Sequence, residues 1–175
     1  MERFNGLKTQ DVLISLKILT FKDKKWIQSD LATALEISVS EISGSLERLK
    51  ICGLIDASKK KIMKQSLREF LIYGLKYVYP AQLGSTTRGI ATAHSAFPIN
   101  THVTEGNDIF VWPYYKGTRR GNGISPLYPT VPKIASKQNE LYELLVIVDT
   151  LRIGRVREKE FAIQELDKRL YTEGV

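Results

Sequence analysis

Cysteine is nearly absent: Cys52 stands alone in 175 residues, which excludes an intrachain disulfide and any cysteine-built zinc cluster. The fold must then be held by apolar burial, and a reducing cytoplasm is the expected home. Proline is missing from the first 79 residues and enters only at Pro80. Long apolar runs are missing too. The longest, Leu144 to Val148, is far too short to span a bilayer, and no apolar run near the start has signal-peptide character, so the chain is expected neither to leave the cell nor to enter a membrane. Histidine is scarce, with only His94 and His102; together with Glu105 and Asp108 their spacing fits no standard metal-ligand set. No nucleophile, base and orienting group can be assembled from the chain, and the expectation is a protein that is not an enzyme and carries no cofactor.

What the chain does have is positive charge: 26 Lys and Arg against 19 Asp and Glu, a formal net charge of +7. Residues 1–80 hold 14 of those cations against 9 acids, so the excess sits mostly in the N-terminal half, where lysine prevails. Basic side chains release counterions from phosphates, which favours a polyanionic partner. The hydrophobic fraction of 43% is that of a globular chain able to bury a core at this length.

Helical spacing is clear at both ends. Val12, Leu16 and Leu19 mark a first amphipathic helix over Leu7 to about Phe21. Ser29 is a candidate N-cap for a short second helix, Asp30 to Glu36, and Ser40 for a third, Glu41 to about Ile51, which Gly53 stops. Leu54-Ile55, the charged tip Lys59-Lys60-Lys61, and Ile62-Met63 read as a minimal hairpin. A fourth helix follows from Gln65 to Val78, and Pro80 ends it. Residues 80–135, rich in proline and glycine, show little periodicity and are expected to pack irregularly through Trp112, Tyr114, Tyr115 and Tyr128. Helical spacing returns with Leu141, Leu144, Leu145, Val148 and Leu151, then again over Val156 to Tyr171. The expected fold is mainly α with a small β-hairpin wing. Residues 1–79 would be a winged helix-turn-helix domain, and 80–175 an irregular segment plus a C-terminal helical hairpin for dimerisation or sensing.

The densest signal is the string Leu31-Ala32, Leu35, Ile37-Ser38, Ser40, Ile42-Ser43, Leu46, Leu49 and Gly53-Leu54-Ile55. Ala32 lets two helices approach, the larger apolar residues form their shared core, and a serine caps the third helix with its first turn free to meet a major groove. On these residues the chain resembles the winged-helix transcriptional regulators of MarR-like or IclR-like type. The resemblance implies Ser38 and Ser40 at the turn, Ser40, Glu41, Ser43, Gly44 and Glu47 facing the groove, Arg48 flanking them, and Lys59, Lys60 and Lys61 on the wing against phosphates. The chain departs from that pattern at Gly44, where arginine often stands, and at the two acids Glu41 and Glu47, which suit base reading by arginine poorly.

The second half offers Arg88, beside Gly89, and Arg119 and Arg120, before Gly121, as a possible anion or ligand site, or as ties from the irregular segment to acids of the helical core. Asp149 and Arg152 are spaced to pair on one helix, with Arg155 and Arg157 completing that network or facing an anion, while Cys52 is expected to be a small buried residue. The helix ending in Tyr79-Pro80, the Thr87-Arg88-Gly89 segment, Trp112-Pro113, Pro126-Leu127-Tyr128-Pro129 and Tyr142-Glu143-Leu144-Leu145 together resemble a family of small bacterial winged-helix proteins, which implies a regulator of an operon for a defence or toxin-antitoxin system. The expected protein is a cytoplasmic homodimer that binds double-stranded DNA, reads an operator with residues 40–51, and regulates transcription. The alternative is a winged-helix protein-interaction module of a defence or toxin-antitoxin complex, with a protein partner encoded nearby.

Overall fold

The apolar residues between Leu141 and Leu151 leave no face of their helix polar enough for water, and a helix apolar all round belongs at the centre of a fold. In the computed structural model, which describes residues 4–104, 106 and 108–172, that is where it lies. Helix α7 (Asn139–Ile153) packs against α8 (Val156–Tyr171), α1 (Thr9–Phe21) and α5 (Leu75–Val78). The apolar core is one cluster running from Val12 to Leu170 through both halves of the chain, so the expected boundary at residue 79 is not a break in the core. The apolar stripe of Leu141, Leu144, Leu145, Val148 and Leu151 is consumed inside one chain, where these five side chains are at most 4% exposed, and does not supply a surface for pairing two copies.

Around α7 the N-terminal elements follow the expected order. Asp11 starts α1 by accepting the Lys8 N–H at 2.8 Å. Helix α2 (Gln28–Leu35) begins two residues earlier than the Ser29 cap implied, because Asp30 accepts the Ile27 N–H at 2.8 Å. Helix α3 (Val39–Ile51) is capped by Ser38 rather than Ser40. Its end is a Schellman turn: Gly53 takes the left-handed conformation (φ 69°), with Leu54 N–H on Leu49 O at 2.9 Å and Gly53 N–H on Lys50 O at 3.0 Å. The hairpin is shorter than expected, a single antiparallel bridge between Ile55 and Ile62. Helix α4 (Lys64–Glu69) continues through a π turn (Phe70–Gly74) into α5, keeping Leu67, Leu71 and Leu75 buried.

Residues 83–124 correct the expectation of an irregular segment and make the fold mixed α and β. Strand β1 (Leu83–Ala91) pairs antiparallel with β2 (Phe110–Pro113) and with β3 (Arg119–Ile124), and β2 pairs parallel with β3, closing a small three-stranded barrel. Its strands approach one another closely at two glycines. A Cβ on Gly89 would fall on the Trp112 carbonyl, and one on Gly121 on the Ile109 carbonyl. A buried polar hub fastens the barrel to the helices. Asp149 accepts from Thr92 Oγ1 at 2.8 Å, Trp112 Nε1 at 2.6 Å and Arg152 Nη1 at 2.8 Å, while Arg152 Nε donates to the Tyr79 carbonyl at 2.9 Å. Burial pushes the Asp149 carboxyl up from its ordinary value, against Arg152, Thr92 and Trp112, which all favour the carboxylate. Among the described residues no helix is long and apolar enough to cross a membrane. Helix α6 (Val131–Ala135) completes the chain between the barrel and α7.

Candidate nucleic-acid interface

Helix α3 has two faces set by its sequence. Ile42, Ser45, Leu46 and Leu49 are buried, whereas Ser40, Ser43 and Glu47, spaced three and four apart, are exposed. At its start, Ser38 Oγ accepts the Glu41 N–H at 3.2 Å and donates to Glu41 Oε2 at 3.0 Å, so one orphan amide is satisfied and the Glu41 carboxylate is turned back on the cap. Ser40 lies in the first turn with its hydroxyl on the outside. Gly44 is half-buried, and a Cβ there would find only Arg48 Nη1, at 3.4 Å.

Arg48, beside Gly44, is tied to α1 rather than left free. Its Nε and Nη2 donate to the two oxygens of Asp11 at 2.8 and 2.7 Å, and Nη2 also reaches Ser45 Oγ at 2.9 Å. The Asp11 side chain is fully buried, so the pair is a structural clamp of α3 on α1. The hydrogen bond to Asp11 holds the guanidinium protonated beyond its already high ordinary value.

The hairpin tip departs from expectation in the same way. Asp56 accepts the Lys60 and Lys61 N–H groups at 2.8 and 2.9 Å and the Ser58 hydroxyl at 2.5 Å. These bonds, the Lys61 amide's foremost, hold its carboxyl down at about 2. Lys59 pairs with Glu47 of α3. Lys60 folds back over Trp26, its ammonium 4.4 Å from the ring centroid and 2.9 Å from the Trp26 carbonyl oxygen. Of the three lysines, Lys61 alone has a side chain without a protein partner among the described residues.

The segment before α7 grips the turn between α2 and α3, an arrangement with no local signal in the sequence. Thr130 Oγ1 donates to Leu35 O at 2.8 Å, Gln138 Nε2 to Ala34 O at 2.7 Å, and Lys133 Nζ to Glu36 Oε2 at 2.6 Å. Partners 95 to 104 residues apart leave no spacing to read. Ser38, Val39, Ser40, Glu41 and Ser43 stay exposed beside this clamp.

Elsewhere, Arg88 stands on β1 directly opposite Arg120 on β3, both exposed, and Arg119 is half-buried opposite Gly89. Arg155 is exposed and 3.4 Å from Asp108, and Arg157 lies over the Phe161 ring at 5.8 Å, so neither joins the Asp149 hub. His94 is buried with Nε2 2.6 Å from the Asp108 carbonyl oxygen, and His102 is 3.0 Å from Glu165. Glu105, grouped with them by sequence, lies outside the described residues. Among the described residues no group of His, Cys, Asp and Glu could hold a metal ion. Cys52, expected to be buried, is exposed at the end of α3.

What these elements define is a mixed α and β chain with an open three-helix unit at its N-terminal end. Compared with known proteins, the chain matches no family model, no curated protein and no solved structure.

Proposed function

We propose that this chain is a DNA-binding transcriptional regulator of winged helix-turn-helix type, similar to the MarR-like and IclR-like proteins. In this reading α2 and α3 are the helix-turn-helix, the 55–62 hairpin is the wing, and α3 enters the major groove of double-stranded DNA. The observation that carries the reading is the open first turn of α3. A long segment packs against the turn just before it, yet Ser40 and Ser43 are left exposed on the face that would meet base edges. The excess of Lys and Arg supports the same partner. A palindromic operator would ask for two copies, paired by a surface other than that of α7.

The experiment is selection of preferred duplex sequences followed by a salt titration. Ser40→Ala with Ser43→Ala should flatten sequence preference, each lost base contact costing about 1–3 kcal/mol of discrimination, and leave the salt slope unchanged. Lys61→Ala should lower the slope by about one unit. A chain that binds no duplex at low salt ends the reading. A second reading has its own support: α3 exposes Val39 (49%) at its start and Ile51 (62%) at its end, the latter one turn from the acid Glu47, apolar and acidic groups suited to docking a protein partner. Under that reading the same serine variants would leave DNA untouched and weaken a protein complex.

A further inference from the structure

From Ile109 through Asn139 the chain holds no acidic residue and five cations, Lys116, Arg119, Arg120, Lys133 and Lys137. The barrel gathers three of these with Arg88. In the register of β1 against β3, Arg88 and Arg120 are direct cross-strand partners, and both side chains are exposed. Neither has an acid or other protein partner among the described residues. Like charges placed opposite each other on an antiparallel pair repel, so this pair is destabilising until an anion lies between the two guanidinium groups. The next pair on the same face is Thr86 and Asn122, 3.4 Å apart, neutral groups that repel no phosphate. In the loop between β2 and β3, Tyr115 is 74% exposed with the Lys116 ammonium 5.4 Å from its ring centre, and the Tyr114 N–H on the Arg88 carbonyl at 3.0 Å holds that loop beside the arginines.

The position of this barrel tip matters as much as its charge. Pro113, at the end of β2 beside Tyr114, lines a cavity together with Lys8, Thr9 and Gln10 at the start of α1, and Gln10 Nε2 donates to Ser45 Oγ of α3 at 3.1 Å, so the barrel tip lies on the side of the molecule where α1 meets α3. Arg88 and Arg120 line neither of the cavities of about 450 and 790 Å³; both stand on the exposed surface of the barrel.

We propose that Arg88, Arg120, Lys116 and Tyr115 form a second contact for the phosphodiester backbone of the duplex whose groove α3 enters. The inference rests on the DNA-binding reading and redistributes its electrostatics. Among the described residues the wing keeps one lysine, Lys61, without a side-chain partner, and α3 carries two acids, whereas the barrel tip supplies the cations that track the backbone.

The test uses the full chain and a short random-sequence duplex, with Kd measured against salt concentration. Arg88→Ala with Arg120→Ala should make the salt slope shallower by about two units and weaken low-salt binding about tenfold or more. Thermal stability should hold or rise, because a like-charge pair is removed. Arg88→Lys with Arg120→Lys, which keeps both charges, should keep the slope. If wild-type protein binds duplex but the double alanine variant has the same slope, the barrel contact is wrong and the α3 reading stands. If wild-type protein shows no salt-dependent binding, both fall.

Discussion

At the scale of single residues, Gly44 shows how an internal cause can be separated from an external one. Glycine inside a helix costs about 1 kcal/mol relative to alanine, and among the described residues nothing excludes a methyl group there, since the nearest atom is Arg48 Nη1 at 3.4 Å. Gly44→Ala should therefore stabilise the fold by roughly 0.5–1 kcal/mol, a rise of about 1–4 °C in Tm for a chain of this size. If duplex affinity falls while Tm rises, the glycine is there for a close approach to DNA; a fall in Tm would mean that the Arg48 clamp cannot give by even a few tenths of an ångström. Arg48 itself marks a limit of residue-level reading. Its place on α3 is legible from periodicity, but its partner Asp11 is 37 positions away, and no spacing rule separates an arginine held by a buried carboxylate from one that faces a groove. The same holds for Lys59 and Lys60, whose partners Glu47 and Trp26 were visible in the sequence only as members of other elements.

At the scale of elements, the helices were legible and the barrel was not, for one physical reason. A helix in a small core announces itself by apolar residues three and four apart, as Ile42, Leu46 and Leu49 do on α3 and Leu166 and Leu170 on α8. A strand announces itself by alternating apolar residues when its inner face packs against side chains. In this barrel Gly89 stands against the Trp112 carbonyl and Gly121 against the Ile109 carbonyl, and β2 is only four residues long, so glycine replaces the alternating apolar residues where strands approach closely and strand signal turns into loop signal. Two substitutions separate these cases. Gly121→Ala puts a Cβ against the Ile109 carbonyl and should cost about 3 kcal/mol, at the upper end for overpacking. Gly84→Ala meets nothing nearer than 3.6 Å and should be close to neutral. Urea unfolding of the two variants reads the difference, and equal midpoints would mean that the barrel opens at no cost.

At the scale of the whole molecule, the C-terminal helices are joined by charge as well as by apolar contact, and this predicts an acid response. Glu165 on α8 is buried and accepts from Lys168 Nζ at 2.7 Å, Arg169 Nη1 at 2.6 Å and His102 Nε2 at 3.0 Å. Arg169 passes the chain of charges on to Glu143 of α7 at 2.6 Å. Burial pushes the Glu165 carboxyl up, but the bonds from Lys168, Arg169 and His102 outweigh it and hold it down at about 2. An unfolded glutamate titrates near 4.3, so the native state binds a proton less readily than the unfolded one. The stabilisation is then complete above about pH 4.3 and is lost as pH falls through the folded value near 2. Glu165→Gln removes the titrating group, and the variant should be less stable than wild type at pH 7 while losing less of its stability between about pH 4.5 and 2. Asp56 titrates in the same low range, but it sits on the surface of the hairpin and is untouched by the substitution, so its contribution is common to both curves. Parallel curves of unfolding free energy against pH for the two proteins would show that the Glu165 cluster does not hold α8 to α7. Converging curves would place that acid sensitivity in the C-terminal helices, away from the α3 face that is proposed to meet DNA.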